Sequence, residues 1–226
     1  MIRVKNLRKI HQNGFVALDN INLTIEKDEF VYLVGPSGAG KSTLLSMLFK
    51  ADLPTSGEIY INNISLNTLP AKQVPLLRRN IGFIFQDYKL LPKRTVAENV
   101  AFALRVMHVE RNRIRRQVAQ VLELVGLQQK MNYLPSELSG GEQQRICIAR
   151  AIVNNPAILL ADEPTGSLDP DTSWEIMQLL SKINARQTTV IVATHNKSIV
   201  DDIRKRVVAL EKGRIVRDKH LSLYDG

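Results

Sequence analysis

The stretch Phe30-Val31-Tyr32-Leu33-Val34-Gly35-Pro36-Ser37-Gly38-Ala39-Gly40-Lys41-Ser42-Thr43-Leu44-Leu45-Ser46-Met47-Leu48 decides the fold. Five consecutive apolar residues read as a strand buried on both faces, and the apolar positions after Ser42 read as a helix. Between them lies Gly-x-x-x-x-Gly-Lys-Ser, a spacing with a mechanical reason. Glycines let the backbone close on a polyanion and turn successive N–H groups inward, while the following helix adds the positive end of its dipole at the same point. Lys41 brings an ammonium to the β- and γ-phosphates, and Ser42 offers a hydroxyl to Mg²⁺. These residues imply a bound nucleoside triphosphate.

Further strand-like runs fall at 16–25, 58–61, 81–85, 157–161, 189–193 and 207–210, with helical patterns between many of them. The alternation after residue 30 predicts a mainly parallel sheet covered by helices, and the first 25 residues with 57–61 predict a small antiparallel layer. From 96 to 153 the apolar spacing is helical, as in Val96, Val100, Leu104 and Met107, then Ile114, Val118, Val121, Leu122 and Val125. This segment reads as a helical lobe inserted into an α/β core made of 1–95 and 154–226. Pro92 and Pro135 are candidate hinges between the two, because each disfavours helix in the residue before it.

A chain of 226 residues that is 44% hydrophobic holds one substantial core with a smaller lobe attached. Residues 1–7 alternate apolar and polar like a strand and lack the apolar core of a signal peptide, which predicts a cytoplasmic protein. No run approaches the roughly 18 apolar residues of a membrane-spanning helix, so any membrane role is expected through a partner. Cys147 is the only cysteine, which excludes an internal disulfide, and its apolar neighbours mark it as a small buried hydrophobe. The net charge of +9 gathers at Arg105, Arg111, Arg113, Arg115 and Arg116, at 204–206 and at 212–219. Without interleaved aromatics these groups make no base-stacking platform, and nucleic acid is not expected as a partner. A solvated helical face and a surface held near anionic headgroups both fit.

Two further motifs carry chemistry. The buried run 157–161 ends in Asp162-Glu163-Pro164, and carboxylates at the carboxyl end of a central strand face the ligand crevice of an open α/β sheet. Asp162 is thus expected to hold Mg²⁺ through its water shell and Glu163 to polarise an attacking water. Leu138-Ser139-Gly140-Gly141-Glu142-Gln143-Gln144-Arg145 opens a helix with a serine and two glycines, a second anion-binding terminus.

With Gln86 after 81–85, the loop Ser167-Leu168-Asp169, and His195 after Ala193-Thr194, these residues resemble the ATP-binding-cassette family over essentially the whole chain. The resemblance implies a P-loop NTPase (RecA-like) core with a small antiparallel β layer and an inserted helical subdomain. It implies an ATPase using Mg²⁺, active as a head-to-tail homodimer. Each ATP would be held by residues Gly35, Pro36, Ser37, Gly38, Ala39, Gly40, Lys41, Ser42 and Thr43 of one subunit and by Ser139, Gly140 and Gly141 of the other. Ser42, Gln86 and Asp162 would hold the metal. Gln86, Glu163 and His195 would be catalytic, and Asp169 would reach the opposite phosphate loop. The aromatic residue that stacks on adenine in the family corresponds here to His11, with Phe15 as a substitute. Tyr88, Leu90 and Leu91 are expected to receive a helix of a membrane subunit.

The runs Met1-Ile2-Arg3, Val74-Pro75-Leu76-Leu77-Arg78-Arg79, Phe85-Gln86-Asp87-Tyr88-Lys89-Leu90-Leu91 and Asn154-Asn155-Pro156-Ala157 are similar to the cell-division members of that family. This implies an integral membrane partner, a peripheral place on the cytoplasmic face of the membrane, and control of peptidoglycan hydrolases. The alternatives are the ATPase of a lipoprotein-releasing or macrolide-type exporter and, further off, a cassette that works on nucleic acid.

Overall fold

A computed structural model describes residues 1–220. In chain order the elements are β1 (Ile2–Ile10), β2 (Val16–Ile25), β3 (Phe30–Val34), α1 (Lys41–Leu48), β4 (Ser56–Ile61), β5 (Ile64–Ser65), α2 (Val74–Arg79) and β6 (Ile81–Ile84). There follow α3 (Val96–Val106), α4 (Arg111–Leu124), α5 (Gly140–Ile152), β7 (Ile158–Asp162), α6 (Pro170–Asn184), β8 (Thr189–Thr194), α7 (Lys197–Asp202), β9 (Arg206–Glu211) and β10 (Arg214–Lys219). Residues 221–226 of the expected core segment lie outside the described ones.

The strands form two sheets. One has four strands in the order β2-β1-β4-β5, with antiparallel pairs throughout. The other has the order β10-β9-β3-β8-β7-β6, in which β9 through β6 run parallel and β10 is antiparallel to β9. Every residue of β3 is buried, and its side chains divide by parity. Phe30, Tyr32 and Val34 join a core shared with α3 to α6, whereas Val31 and Leu33 join one shared with α1 and the antiparallel sheet. A period-2 strand covered on both sides makes this division, and the near-continuous apolar run is its sequence counterpart.

Residues 96–152 contain helices and short 3₁₀ turns but no strand. Two of the helices begin with reciprocal capping boxes, Thr95 with Glu98 and Ser139 with Glu142, which satisfy N–H groups that the first turn leaves open. The stripe Val96, Val100 and Leu104 and the stripe Val118, Val121 and Leu122 pack into the same cluster as Tyr32, Val190 and Val192. The helical segment therefore shares a continuous core with one face of the parallel sheet. Pro135 is buried at the start of a 3₁₀ turn.

Strands β5 and β10 were not legible as apolar runs. β10 reads Arg-Ile-Val-Arg-Asp-Lys and returns along β9 through Lys212 and Gly213, both at positive φ. The expected basic patch at 204–206 is corrected in part. Arg206 donates to the Thr24 carbonyl, to Glu29 and to Asp218, so its charge is consumed in a half-buried network that ties β9 to β10 and to the end of β2.

Tyr32 is fully buried, and its hydroxyl has no hydrogen-bond partner among the described residues. A desolvated, unpaired hydroxyl opposes folding, so Tyr32→Phe is expected to raise the unfolding free energy by about 1 kcal/mol in urea titration. A loss of that size would show that the hydroxyl is paired.

Candidate functional site

The loop 35–40 leaves the carboxyl end of β3 and enters α1, whose N-cap is Gly40 with φ 102°. Gly35, at φ 145°, has no room for a side chain, because a Cβ there would lie 2.1 Å from the Leu210 carbonyl oxygen. At Gly40 a Cβ would lie 2.6 Å from the Ala17 carbonyl oxygen and 2.5 Å from Leu18 Cδ2. The glycines serve close backbone packing as well as the turn itself.

Lys41 is 6% exposed, and its ammonium donates to the carbonyls of Gly35 (2.7 Å) and Pro36 (3.1 Å). It also stands 3.8 Å from Glu163 Oε1. Ser42 Oγ donates to Asp162 Oδ1 at 2.9 Å, and His195 Nδ1 lies 2.9 Å from Glu163 Oε1. Five expected site residues from three separate segments thus converge at the carboxyl ends of β3, β7 and β8. Glu163 sits one residue beyond β7 with φ 47°, a left-handed conformation that costs a non-glycine residue about 1 kcal/mol or more, and its N–H donates to the Ala193 carbonyl. Burial pushes the Asp162 carboxyl above its ordinary value, against the hydrogen bond from Ser42.

Gln86, exposed in the loop after β6, borders a cavity of ≈ 540 Å³ together with Asp162, Glu163, Gly166 and Ser167. Among the described residues no group of three or more His, Cys, Asp and Glu forms a metal centre. The donors gathered here are instead hard oxygens, namely a hydroxyl, an amide and a desolvated carboxylate. That set suits Mg²⁺, which keeps several waters and takes its remaining ligands from phosphates. A larger cavity of ≈ 770 Å³, bordered by Lys27, Gln117, Asn155 and Arg186, opens at the amino-terminal ends of the parallel strands, away from these groups.

The second anion-binding terminus lies elsewhere on the chain. Ser139 caps α5, its hydroxyl accepting from the Glu142 N–H at 3.3 Å. The Glu142 carboxyl is held below its ordinary value, first by a hydrogen bond from Lys130. Gly141 packs against α6, where a Cβ would meet Thr172 Cγ2 at 2.4 Å. Asp169 caps α6 by accepting from the Thr172 N–H at 2.9 Å. None of Ser139, Gly140, Gly141 and Asp169 makes a hydrogen bond or ion pair with Lys41 or Ser42 of the same chain. His11 and Phe15 flank the β1–β2 turn with parallel rings, centroids 6.2 Å apart. That turn leads into Ala17 and Leu18, which touch Gly40, so both rings stand at the phosphate-loop end of β2.

Tyr88, Leu90 and Leu91, the residues expected to receive a helix of a membrane subunit, are each half-buried. Tyr88 and Leu90 pack against the helical core, the Tyr88 hydroxyl is hydrogen-bonded to Ser167 Oγ at 3.0 Å, and the Leu91 N–H donates to buried Asn99. A residue absent from the sequence reading explains the conformation. Arg150 on α5 donates to the Tyr88 carbonyl (2.7 Å) and to the Lys89 carbonyl (2.6 Å), holding two consecutive residues at positive φ. The Cys147 thiol, pushed by burial up to about 12, donates to the same Tyr88 carbonyl. The loop that carries Gln86 is thereby fastened to the helix that begins at Ser139. No local signal reveals this, since Arg150 looks like any charged residue of a helix.

A family model described as ABC transporter matches residues 18–166. The chain is 55% identical over 224 residues to the "Cell division ATP-binding protein FtsE" of Bacillus subtilis, covering 99% of this chain and 98% of that protein. It is 52% identical over 224 residues to the protein of the same name from Streptococcus pneumoniae, covering 99% and 97%. A dimeric ATP-binding cassette solved in a post-hydrolysis state with ADP and Pi superposes with a TM-score of 0.89 at 39% identity, covering 99% of this chain and 100% of that one.

The glycine geometry separates two substitutions of equal chemistry. Gly40→Ala meets backbone and is expected to cost about 2 kcal/mol or more in chemical denaturation. Gly38→Ala, at φ 78° with open space around its Cβ, is expected to cost only the roughly 1 kcal/mol of a left-handed residue. Equal losses would contradict the close packing of the loop.

Proposed function

The chain belongs to the ABC transporter family, and from that premise we propose that it is the ATP-binding and ATP-hydrolysing subunit of a membrane complex that serves cell division. The observation that carries the reading is the convergence of Lys41, Ser42, Asp162, Glu163 and His195 at the mouth of one phosphate loop.

In this reading the N–H groups of 38–42 and the Lys41 ammonium take the β- and γ-phosphates of ATP. Lys41 exchanges its two loop carbonyls for phosphate oxygens. Ser42, Asp162 and Gln86 would hold Mg²⁺, which when bound neutralises charge on those phosphates. Glu163 accepts a proton from the attacking water and His195, through its contact with Glu163, fixes the direction of that carboxylate. His195 also reaches the γ-phosphate. His11 and Phe15 offer flat faces for adenine at the same end of the sheet.

Ser139, Gly140 and Gly141 make no hydrogen bond to the phosphate loop of their own chain, and in a head-to-tail homodimer they face the γ-phosphate held by the partner. Two helix N-termini then share one polyphosphate, so ATP bound between two copies favours the closed pair by mass action. Asp169 lies beside this second terminus and approaches the partner's loop. Arg150 links the Gln86 loop to α5, so closure at Ser139 reaches the surface around Gln86. The closing motion is relayed to an integral membrane subunit of the FtsX kind, which regulates peptidoglycan hydrolases outside the cell. The chain would be peripheral on the cytoplasmic face through that subunit. Among its described residues no helix is long and apolar enough to cross a membrane. In functional terms 96–153 is a lobe that moves against the α/β core.

Two variants divide the roles. Lys41→Ala is expected to abolish tight ATP binding in calorimetry. Ser139→Arg is expected to leave ATP binding by the single chain intact and to lower hydrolysis by about 10²-fold or more. Ser139→Arg with unchanged turnover would remove the second helix terminus from the site.

A further inference from the structure

Glu142 stands in the first turn of α5, the helix that opens on Ser139, Gly140 and Gly141. Its carboxylate is divided between two partners: Oε2 accepts the Ser139 N–H at 3.0 Å, and Oε1 accepts from the Lys130 ammonium at 2.5 Å. The first contact closes the capping box, and a glutamine would make it as well. The second matches a charge. Lys130 is the main reason the Glu142 carboxyl lies below its ordinary value, so Glu142 is an anion at neutral pH, set beside the terminus assigned to a phosphate. The backbone around Lys130 is well held. Its N–H donates to the Leu127 carbonyl and its carbonyl accepts from Tyr133, while the Met131 and Tyr133 carbonyls accept from Ala97 and Val96 at the start of α3. Arg145, the next cation along α5, is turned away to the Val125 carbonyl and to Glu175. Among the described residues Lys130 is the one cation bonded to the first turn of α5.

We propose that Lys130 is a positioning residue for the shared nucleotide: by neutralising Glu142 it keeps the Ser139 terminus open to the γ-phosphate held by the other copy. A helix N-terminus offers roughly half a positive charge, and an unmatched carboxylate in its first turn more than cancels that attraction. With Lys130 in place the side-chain pair is neutral, and the N–H groups meet the polyanion without a competing anion beside them. Lys130 acts through Glu142 and needs no contact with the nucleotide. The inference deepens the reading of one ATP shared by two copies and rests on it.

The test is sedimentation equilibrium of the full chain carrying Glu163→Gln, with ATP and Mg²⁺, together with calorimetric ATP binding by the dilute protein. Adding Lys130→Ala is expected to raise the dimer dissociation constant about tenfold, the scale of one charge interaction at a partly exposed site, while ATP binding by the single chain is unchanged. The difference is expected to shrink at high salt. Lys130→Arg keeps the charge and is expected to dimerise like the parent. Glu142→Gln placed on top of Lys130→Ala keeps the capping box and removes the unmatched anion, so it is expected to restore dimerisation. A packing role for Lys130 would give no such restoration. Dimerisation unchanged by Lys130→Ala, or a loss that Glu142→Gln does not restore, overturns the proposal. A Glu163→Gln parent that binds ATP and stays monomeric overturns the shared-nucleotide reading, and this inference with it, so the parent protein tells the two failures apart.

Discussion

Three stretches of backbone distant in sequence meet at the phosphate loop with no space for a side chain between them, and the rest of the architecture depends on that contact. Gly35 lies against Leu210 of β9, Gly40 against Ala17 of β2, and Gly213 of the β9–β10 turn against the same Ala17. The Gly213 N–H donates to the Ala39 carbonyl, and the Asp19 N–H donates to the Gly213 carbonyl. The antiparallel sheet is thus fastened to the parallel one through the loop itself. A loop that presents its N–H groups to an anion cannot also satisfy them internally, so its shape must be imposed from outside. The neighbouring strands impose it, and the apolar cluster joining Leu18, Val31, Leu33, Leu44 and Leu45 holds those strands together.

Electrostatics at the mouth follow from the same crowding. Lys41 is almost wholly removed from water and is satisfied by two carbonyls of its own loop and by Glu163. Asp162 keeps a raised carboxyl value because its burial outweighs its one hydrogen bond from Ser42. Opposed charges held at low exposure make this region responsive to an added polyphosphate, since each new contact replaces an internal one rather than a solvent one. The link from the loop to the helical segment is mechanical: Arg150 and Cys147 hold the Tyr88 carbonyl, and Tyr88 holds Ser167.

The parts legible in the sequence were those whose cause is local. The run 30–34 announces a doubly covered strand, the glycine spacing announces the loop, and the 3.6-residue period of 96–125 announces helices. The pair Asp162-Glu163 could be placed at a strand end because the run before it is continuous and apolar. β10 was hidden because its pairing to β9 rests on an edge position and on the Arg206 to Asp218 pair, neither of which leaves an apolar pattern. The anchoring of Tyr88 leaves no local trace because it is decided by α5, some sixty residues later in the chain, and Arg150 was unnoticed for the same reason. His11 and Phe15 were named separately, whereas the turn between them sets their rings parallel.

The central claim is that one nucleotide is shared by two copies of the chain. The most direct measurement is sedimentation velocity of Glu163→Gln with ATP and Mg²⁺, compared with the same protein with ADP. The substitution keeps the shape of the site and removes the proton acceptor, so ATP persists. The account predicts a stable dimer with ATP and a monomer with ADP. A Glu163→Gln protein that binds ATP and remains monomeric would contradict it.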